Sequence, residues 1–170
     1  ITPPTLSFTN PDTSAWINNQ FMGMSTNEPI QNWSINVNYQ GDVFDEKAPH
    51  IYEFTDTVQT AIDLDLSEYF QFNDGTMYQF SIVGSDLAGN ISDTTRLDSI
   101  HYDITPPVVT MIFPFDNAAI NNPTISYALS EQLLLGEVLW TQVDGAQDTL
   151  SPHNVEMVGK ELSQQEKIRI

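Results

Sequence analysis

The chain has 170 residues, 40% of them hydrophobic and only 16% charged, a globular composition rather than that of a disordered chain. Its 23 acidic against 5 basic residues give a formal net charge of −18, which excludes nucleic acid and anionic membrane surfaces as partners, because both need clustered Lys and Arg. With no cysteine, disulfides, zinc–thiolate sites and thiol catalysis are excluded, and no apolar run nears the ~20 residues of a membrane span.

Taken in chain order, the residues read as short strands separated by turns. The chain opens on Ile1-Thr2-Pro3-Pro4, in the middle of a motif, which leaves room for a targeting signal upstream of it. Asn10-Pro11-Asp12 and Asn18-Asn19 are turn signals. Trp33-Ser34-Ile35-Asn36-Val37-Asn38-Tyr39 alternates strictly between apolar and polar, the pattern of a half-buried strand with Trp33, Ile35, Val37 and Tyr39 on one face. Gly41-Asp42 marks the next turn. Asp56–Phe70 could be drawn as a helix, but Ile62-Asp63-Leu64-Asp65-Leu66 alternates and predicts a strand running into a corner. Asn73-Asp74-Gly75 turns the chain into a strand at Tyr78-Gln79-Phe80-Ser81-Ile82, and Gly89-Asn90 ends that stretch. Val108–Phe113 and Ile125–Leu129 read as further strands, and Glu161–Lys167 as strand or loop.

Sliding the chain against itself exposes a repeat. Ile1-Thr2-Pro3-Pro4 recurs as Ile104-Thr105-Pro106-Pro107. At that same offset, without a gap, Pro11, Ala15, Ile17, Asn18, Asn19, Glu28, Asp45, Pro49, His50 and Glu53 meet Pro114, Ala118, Ile120, Asn121, Asn122, Glu131, Asp148, Pro152, His153 and Glu156. The sequence thus predicts one full unit over residues 1–103 and the first part of a second over residues 104–170. A unit of this length with many short strands is the size of an immunoglobulin-type antiparallel β-sandwich, so the expected fold is all-β, in tandem units of about 100 residues. The second unit would lack the counterparts of Met77–Ser85 and of the strand after it. Either the chain is a fragment of a longer ordered protein, which is the reading we favour, or a neighbouring molecule supplies the missing strands. The alignment also sorts the tryptophans. Trp16 meets Ala119 and Trp33 meets Gly136, so neither ring is demanded by the shared fold; Val37 meets Trp140, an expected core position.

The segment from Asn73 to Asn90, with Asn73-Asp74-Gly75-Thr76, Tyr78, Phe80, Asp86, Ala88, Gly89 and Asn90, resembles the closing signature of bacterial Ig-like repeats, the fibronectin-III- and cadherin-like tandem units of large surface adhesins and secreted proteins. Asp103-Ile104-Thr105-Pro106-Pro107 is similar to the opening of the next such unit, with Ile in place of Thr. The resemblance implies an extracellular or cell-surface location and a role in stalks or accessory modules. Tyr78 stands where a tyrosine corner would pin the loop before it, and the paired prolines stiffen the joint between units.

Calcium is the sharpest chemistry in reach, since it takes six to eight oxygen ligands and the chain is rich in carboxylates. A joint site would use Asp86, Asn90 and the linker aspartate that precedes their unit, and both joints are incomplete in this chain: the first lacks its upstream aspartate, and the second has Asp103 but not the second unit's own Asp-x-Ala-Gly-Asn loop, with Asp42, Asp45 and Asp74 able to contribute from the far pole of unit 1. The competing reading is that Asp86 and Asn90 cap their own turn. Enzyme chemistry is not expected. His50 and His153 are repeat equivalents, each after a proline, and so mark a shared turn; Asp63 and Asp65 share the polar face of one strand; and no phosphate loop, nucleophile elbow or His-Glu-x-x-His occurs. Trp16, in a turn-rich segment, is the expected exposed contact for a ligand. The expected function is a structural and adhesive spacer, a stalk whose partners are its neighbouring repeats and a surface glycan or protein. The alternatives are an accessory carbohydrate-binding module of a secreted enzyme and a subunit of a self-assembling surface filament.

Overall fold

The computed structural model describes residues 2–40, 49–55, 58–121, 124–157 and, as backbone, 165–169. The turn at Gly41-Asp42, and with it Asp45, lies outside the described residues, as do residues 158–164. The chain divides into two compact units, Ile1–Thr105 and Pro106–Ile170. Among the described residues all regular structure is β, apart from one 3₁₀ turn at Leu66–Glu68.

Unit 1 is built around β3, a strand of 20 residues, Phe21–Gln40. Its first half pairs with β1 (Leu6–Asn10) and β5 (Gln59–Asp65). Its second half pairs with β4 (His50–Phe54) and β6 (Thr76–Asp86), and β6 carries β7 (Thr95–Tyr102), which in turn carries the two-residue parallel strand β2 (Trp16–Ile17). The registers slip between Ser25 and Ile30 and between Ile30 and Asn32, around Pro29, which has no N–H to give a ladder. At that point β3 leaves one layer and enters the other, so the sheet curls on itself into a sandwich-like all-β unit.

Alternation decides what the two layers enclose. Every second residue of β6, Thr76, Tyr78, Phe80, Ile82, Gly84 and Asp86, is buried. Trp33, Ile35 and Val37 of β3 face the same core, with Leu6, Met22, Met24, Ile62, Leu64, Leu97 and Ile100. β5 ends as its alternation predicts, with the Asp65 carboxylate accepting from the Ser67 N–H (2.9 Å) to open the 3₁₀ turn. The tyrosine corner is present: the Asn73 N–H donates to the Tyr78 hydroxyl at 2.7 Å, and the Tyr78 side chain is fully buried.

Unit 2 contains β8 (Val109–Phe113), β9 (Thr124–Leu129), β10 (Gly136–Trp140), β11 (His153–Met157) and β12 (Gln165–Arg169). Its pairings follow those of unit 1 at the offset of the sequence repeat. Leu6 opposes Thr26 in unit 1, and Val109 opposes Leu129 in unit 2, with a bulge at the matching place. Trp33–Val37 opposes His50–Phe54, and Gly136–Trp140 opposes His153–Met157 residue for residue. The turns match as well. The Ala15 N–H donates to the Asp12 carbonyl and the Ala118 N–H to the Phe115 carbonyl, and Ser14 and Asn117 both take a φ near +60°. β12 pairs with β9 as β5 does with β3, one residue out of step. Among the described residues the core of unit 2 holds Ile125, Tyr127, Leu129 and Met157, with Leu133 and Val138 against them.

Candidate functional site

The two poles and one edge of unit 1 carry its polar chemistry. At the first pole β6 ends in Asp86, and Gly89 takes a φ of +84°, a conformation open to glycine that closes the turn to Asn90. The Asp86 carboxylate accepts from the N–H groups of Ala88 and Asn90, both at 2.8 Å, and from the Asn90 amide at 2.6 Å. The backbone of Asp86 exchanges a further bond with Asn90. These donors, the Asn90 side chain foremost, hold the Asp86 pKa below the ordinary carboxylate value. The sign of the linkage follows: the contribution of Asp86 is complete above the unfolded value near 4 and is lost as pH falls through the lower folded value. Asp86→Ala should therefore speed amide exchange at Ala88 and Asn90 and remove the acid dependence of their protection, as a pH series of hydrogen exchange would show. Unchanged exchange at both amides would mean that the carboxylate does not hold the loop.

The second pole gathers Asp74, Asp103 and Thr105. Asp74 accepts from the Ile104 N–H (2.8 Å) and from the Thr105 hydroxyl, and these two bonds, the hydroxyl first, lower its pKa. Asp103 accepts from the Thr105 N–H (3.0 Å). The residue pair Ile104–Thr105 is thereby fastened to unit 1. Asp86 and Asn90 meet at one pole and Asp103 lies at the opposite one, the end that faces the second joint in the sequence reading: β6 and β7 are antiparallel, Thr76 faces Tyr102, and Asp86 lies at the other end of the strand. In this chain the Asp86 pole thus presents one carboxylate, engaged by three N–H donors, and one amide. Among the described residues no three His, Asp or Glu side chains converge on a point that could hold an ion.

At the edge, Trp16 is 70% exposed and stacks on His101, ring centroids 4.5 Å apart and planes 11° from parallel. Its two-residue strand is anchored by His101 N–H to Ala15 O (2.9 Å) and Asp103 N–H to Ile17 O (3.0 Å), so the indole is presented on a fixed backbone. Trp33 differs sharply. It is buried, stacked on Phe54 with centroids 3.9 Å apart, and set against Gly84. The expectation that the fold does not demand the Trp33 ring is corrected here, because in unit 1 that ring is part of the buried core and stacks on Phe54. An open groove of about 270 Å³ runs beside it, lined by Ser34, Glu53, Thr55, Ser85 and Ile91 among others.

Compared with models of known protein families and with curated proteins, the chain matches none. No helix among the described residues is long and apolar enough to cross a membrane.

Two arrangements escaped the sequence reading. One is His101 beneath Trp16, for which no local pattern gives a signal. The other is His153, which stacks on Trp140 (5.1 Å) and bonds to Asp148 across the β10–β11 loop. That second one left a trace: both Asp148 and His153 are identities of the repeat, and His50 likewise packs on an aromatic ring, Phe70, with centroids 4.2 Å apart and planes tilted by 34°.

Proposed function

We propose that the chain is a stretch of a tandem array of Ig-like sandwiches that serves as a non-catalytic structural and adhesive spacer of an extracellular or cell-surface bacterial protein. One observation carries the reading: in unit 1 the chain enters at one pole and leaves at the other. Leu6 begins β1 beside Thr95, whose hydroxyl donates to its carbonyl, at the Asp86 end of β6; Ile104 and Thr105 are fastened to Asp74 at the Thr76 end. A unit so threaded passes tension from end to end through the ladders of β3, β6 and β7, which load in parallel. The matching registers of the two units support the tandem plan, and the net charge of −18 suits a rod that must stay soluble.

Pulling the chain from its two ends tests the mechanical role. Unit 1 should give way in one cooperative event, whereas gradual lengthening at low force would reject it. The same pull with calcium and with excess chelator separates joints held by protein hydrogen bonds from joints stiffened by an ion. Equal traces fit the Asp74 fastening, and a calcium-dependent rise lost in Asp86→Ala would assign the stiffening to calcium.

The exposed and anchored Trp16 favours a second reading, an accessory module that binds carbohydrate by stacking a sugar on the indole. Glycan binding that disappears in Trp16→Ala would support it.

A further inference from the structure

The sequence contains two Asp-Gly pairs, Asp74-Gly75 and Asp144-Gly145. In such a pair the glycine nitrogen can attack the side-chain carboxyl carbon of the aspartate before it, because glycine sets no Cβ in the way and bends freely. The fold treats the two pairs in opposite ways. At Asp74-Gly75 both reacting groups are engaged. The Gly75 N–H lies near enough to the Asp74 carboxylate to help lower its pKa, but its own bond goes to the Tyr102 carbonyl at 2.9 Å. The Asp74 carboxylate is held by the Ile104 N–H and the Thr105 hydroxyl. At Asp144-Gly145 the two groups face each other. The Gly145 N–H donates to the Asp144 Oδ1 at 2.7 Å, which sets the attacking nitrogen beside the carboxyl group. Gly145 takes a φ of +104°, and both residues are exposed to water in the loop between β10 and β11. That loop is folded around one side chain. The Gln142 amide donates to the carbonyls of Asp144 (3.1 Å) and Ala146, and its Oε1 accepts from the Asp148 N–H (2.6 Å).

We propose that Asp144 is a modification site, at which the folded protein converts its own Asp144-Gly145 linkage to isoaspartate, and that the fold protects Asp74-Gly75 from the same reaction. The Gly145 nitrogen forms a bond to the Asp144 Cγ and gives up its proton. One oxygen of the protonated carboxyl group leaves as water, and a five-membered succinimide closes. Solvent water then opens the ring at either carbonyl. Breaking the new N–Cγ bond restores aspartate. Breaking the original bond from nitrogen to the main-chain carbonyl carbon leaves the chain running through the side chain, with the α-carboxylate free. One water leaves and one enters, so no other reactant is needed. The product lengthens the chain between Gln142 and Asp148 by one carbon, and the bonds from Gln142 to Ala146 and Asp148 lose their spacing. Asp148 also bonds to His153, so the change reaches the base of the loop. The site stands on the loop geometry and does not depend on the spacer role.

The test ages the whole chain at neutral pH, folded and in denaturant, and maps isoaspartate at each pair by peptide chromatography and mass spectrometry. In the folded chain isoaspartate should accumulate at Asp144 ~10-fold or more faster than at Asp74, because only the first pair holds its reacting groups together. In denaturant the two pairs should react alike. Asp144→Glu, which would have to close a six-membered ring, should form none at that position. As the product builds up, hydrogen exchange at the Asp148 amide should quicken, while exchange at the Gly75 amide stays as it was. Three results would overturn the proposal. In one, the folded chain forms isoaspartate at Asp74 as fast as at Asp144. In another, the folded chain forms none at Asp144 although the unfolded chain does. In the third, the difference between the pairs persists in denaturant, which would assign it to neighbouring residues and not to the fold.

Discussion

Tyr78→Phe should lower the stability of unit 1 by roughly 1–3 kcal/mol although it removes a single oxygen atom. The Tyr78 ring is fully buried and packs on Phe72, 4.4 Å away. Phenylalanine keeps that packing. What it removes is the acceptor of the Asn73 N–H, a 2.7 Å bond that ties the turn before β6 to the core. The variant also has a signature in pH. Burial pushes the Tyr78 pKa well above that of a free phenol, and burial raises Tyr52 in the same direction. Below about pH 10 both folded and unfolded chains hold these protons and stability does not respond. Above it the unfolded chain releases them first, so unit 1 loses stability as pH rises towards the folded value. Thermal midpoints measured between neutral pH and pH 11 should fall for the native chain and fall less steeply for Tyr78→Phe. Parallel curves would show that Tyr78 is not the buried phenol described here.

Trp33→Ala should be costlier, about 3–5 kcal/mol, the usual range for removing a large buried aromatic side chain. The ring is 5% exposed and stacked on Phe54, and Trp33 stands opposite Gly84 of β6 in the ladder. A Cβ built on Gly84 would stand 3.3 Å from the Trp33 Cβ and the Ile30 Cδ1 and 3.4 Å from the Asn32 carbonyl oxygen, so β3 and β6 approach closely here. Gly84→Leu should therefore destabilise unit 1 as well, by overpacking this contact. For a domain of this size ~3 kcal/mol shifts a midpoint by roughly 12 °C or more, well within the reach of calorimetry. A shift of a degree or two in Trp33→Ala would return the ring to the dispensable role that the repeat alignment suggests.

That alignment explains both what the sequence reveals and what it hides. Short-range alternation was sufficient for the strands at Trp33–Tyr39, Tyr78–Ile82 and Ile125–Leu129, and for the corner after Asp65, because a half-buried strand writes its period of two into the chain. The front half of β3 was not legible. Phe21–Gln31 mixes Gly23, Asn27 and Pro29 among its apolar residues, and its strand character comes from partners on both sides rather than from its own pattern. Nor can any local signal show that one strand serves two layers. The alignment misled at Trp33 because it compares positions and not neighbours: the counterpart of Trp33 is Gly136, while the ring itself is held by Phe54 across the ladder. At the poles Asp86 and Asn90 lie four residues apart and meet, while β7 carries Asp103 to the opposite end of the unit.

The threading of unit 1 from pole to pole is the claim on which the spacer reading rests, and one distance tests it. The chain has no cysteine, so Thr2→Cys with Ile104→Cys gives two clean positions for spin labels. The eleven residues of β6, at about 3.3 Å each, set the poles roughly 33 Å apart. Electron–electron resonance should return a single distance of about that length or longer. A distance below ~20 Å, half a dozen strand residues at most, would place entry and exit at the same end of the unit and contradict the account.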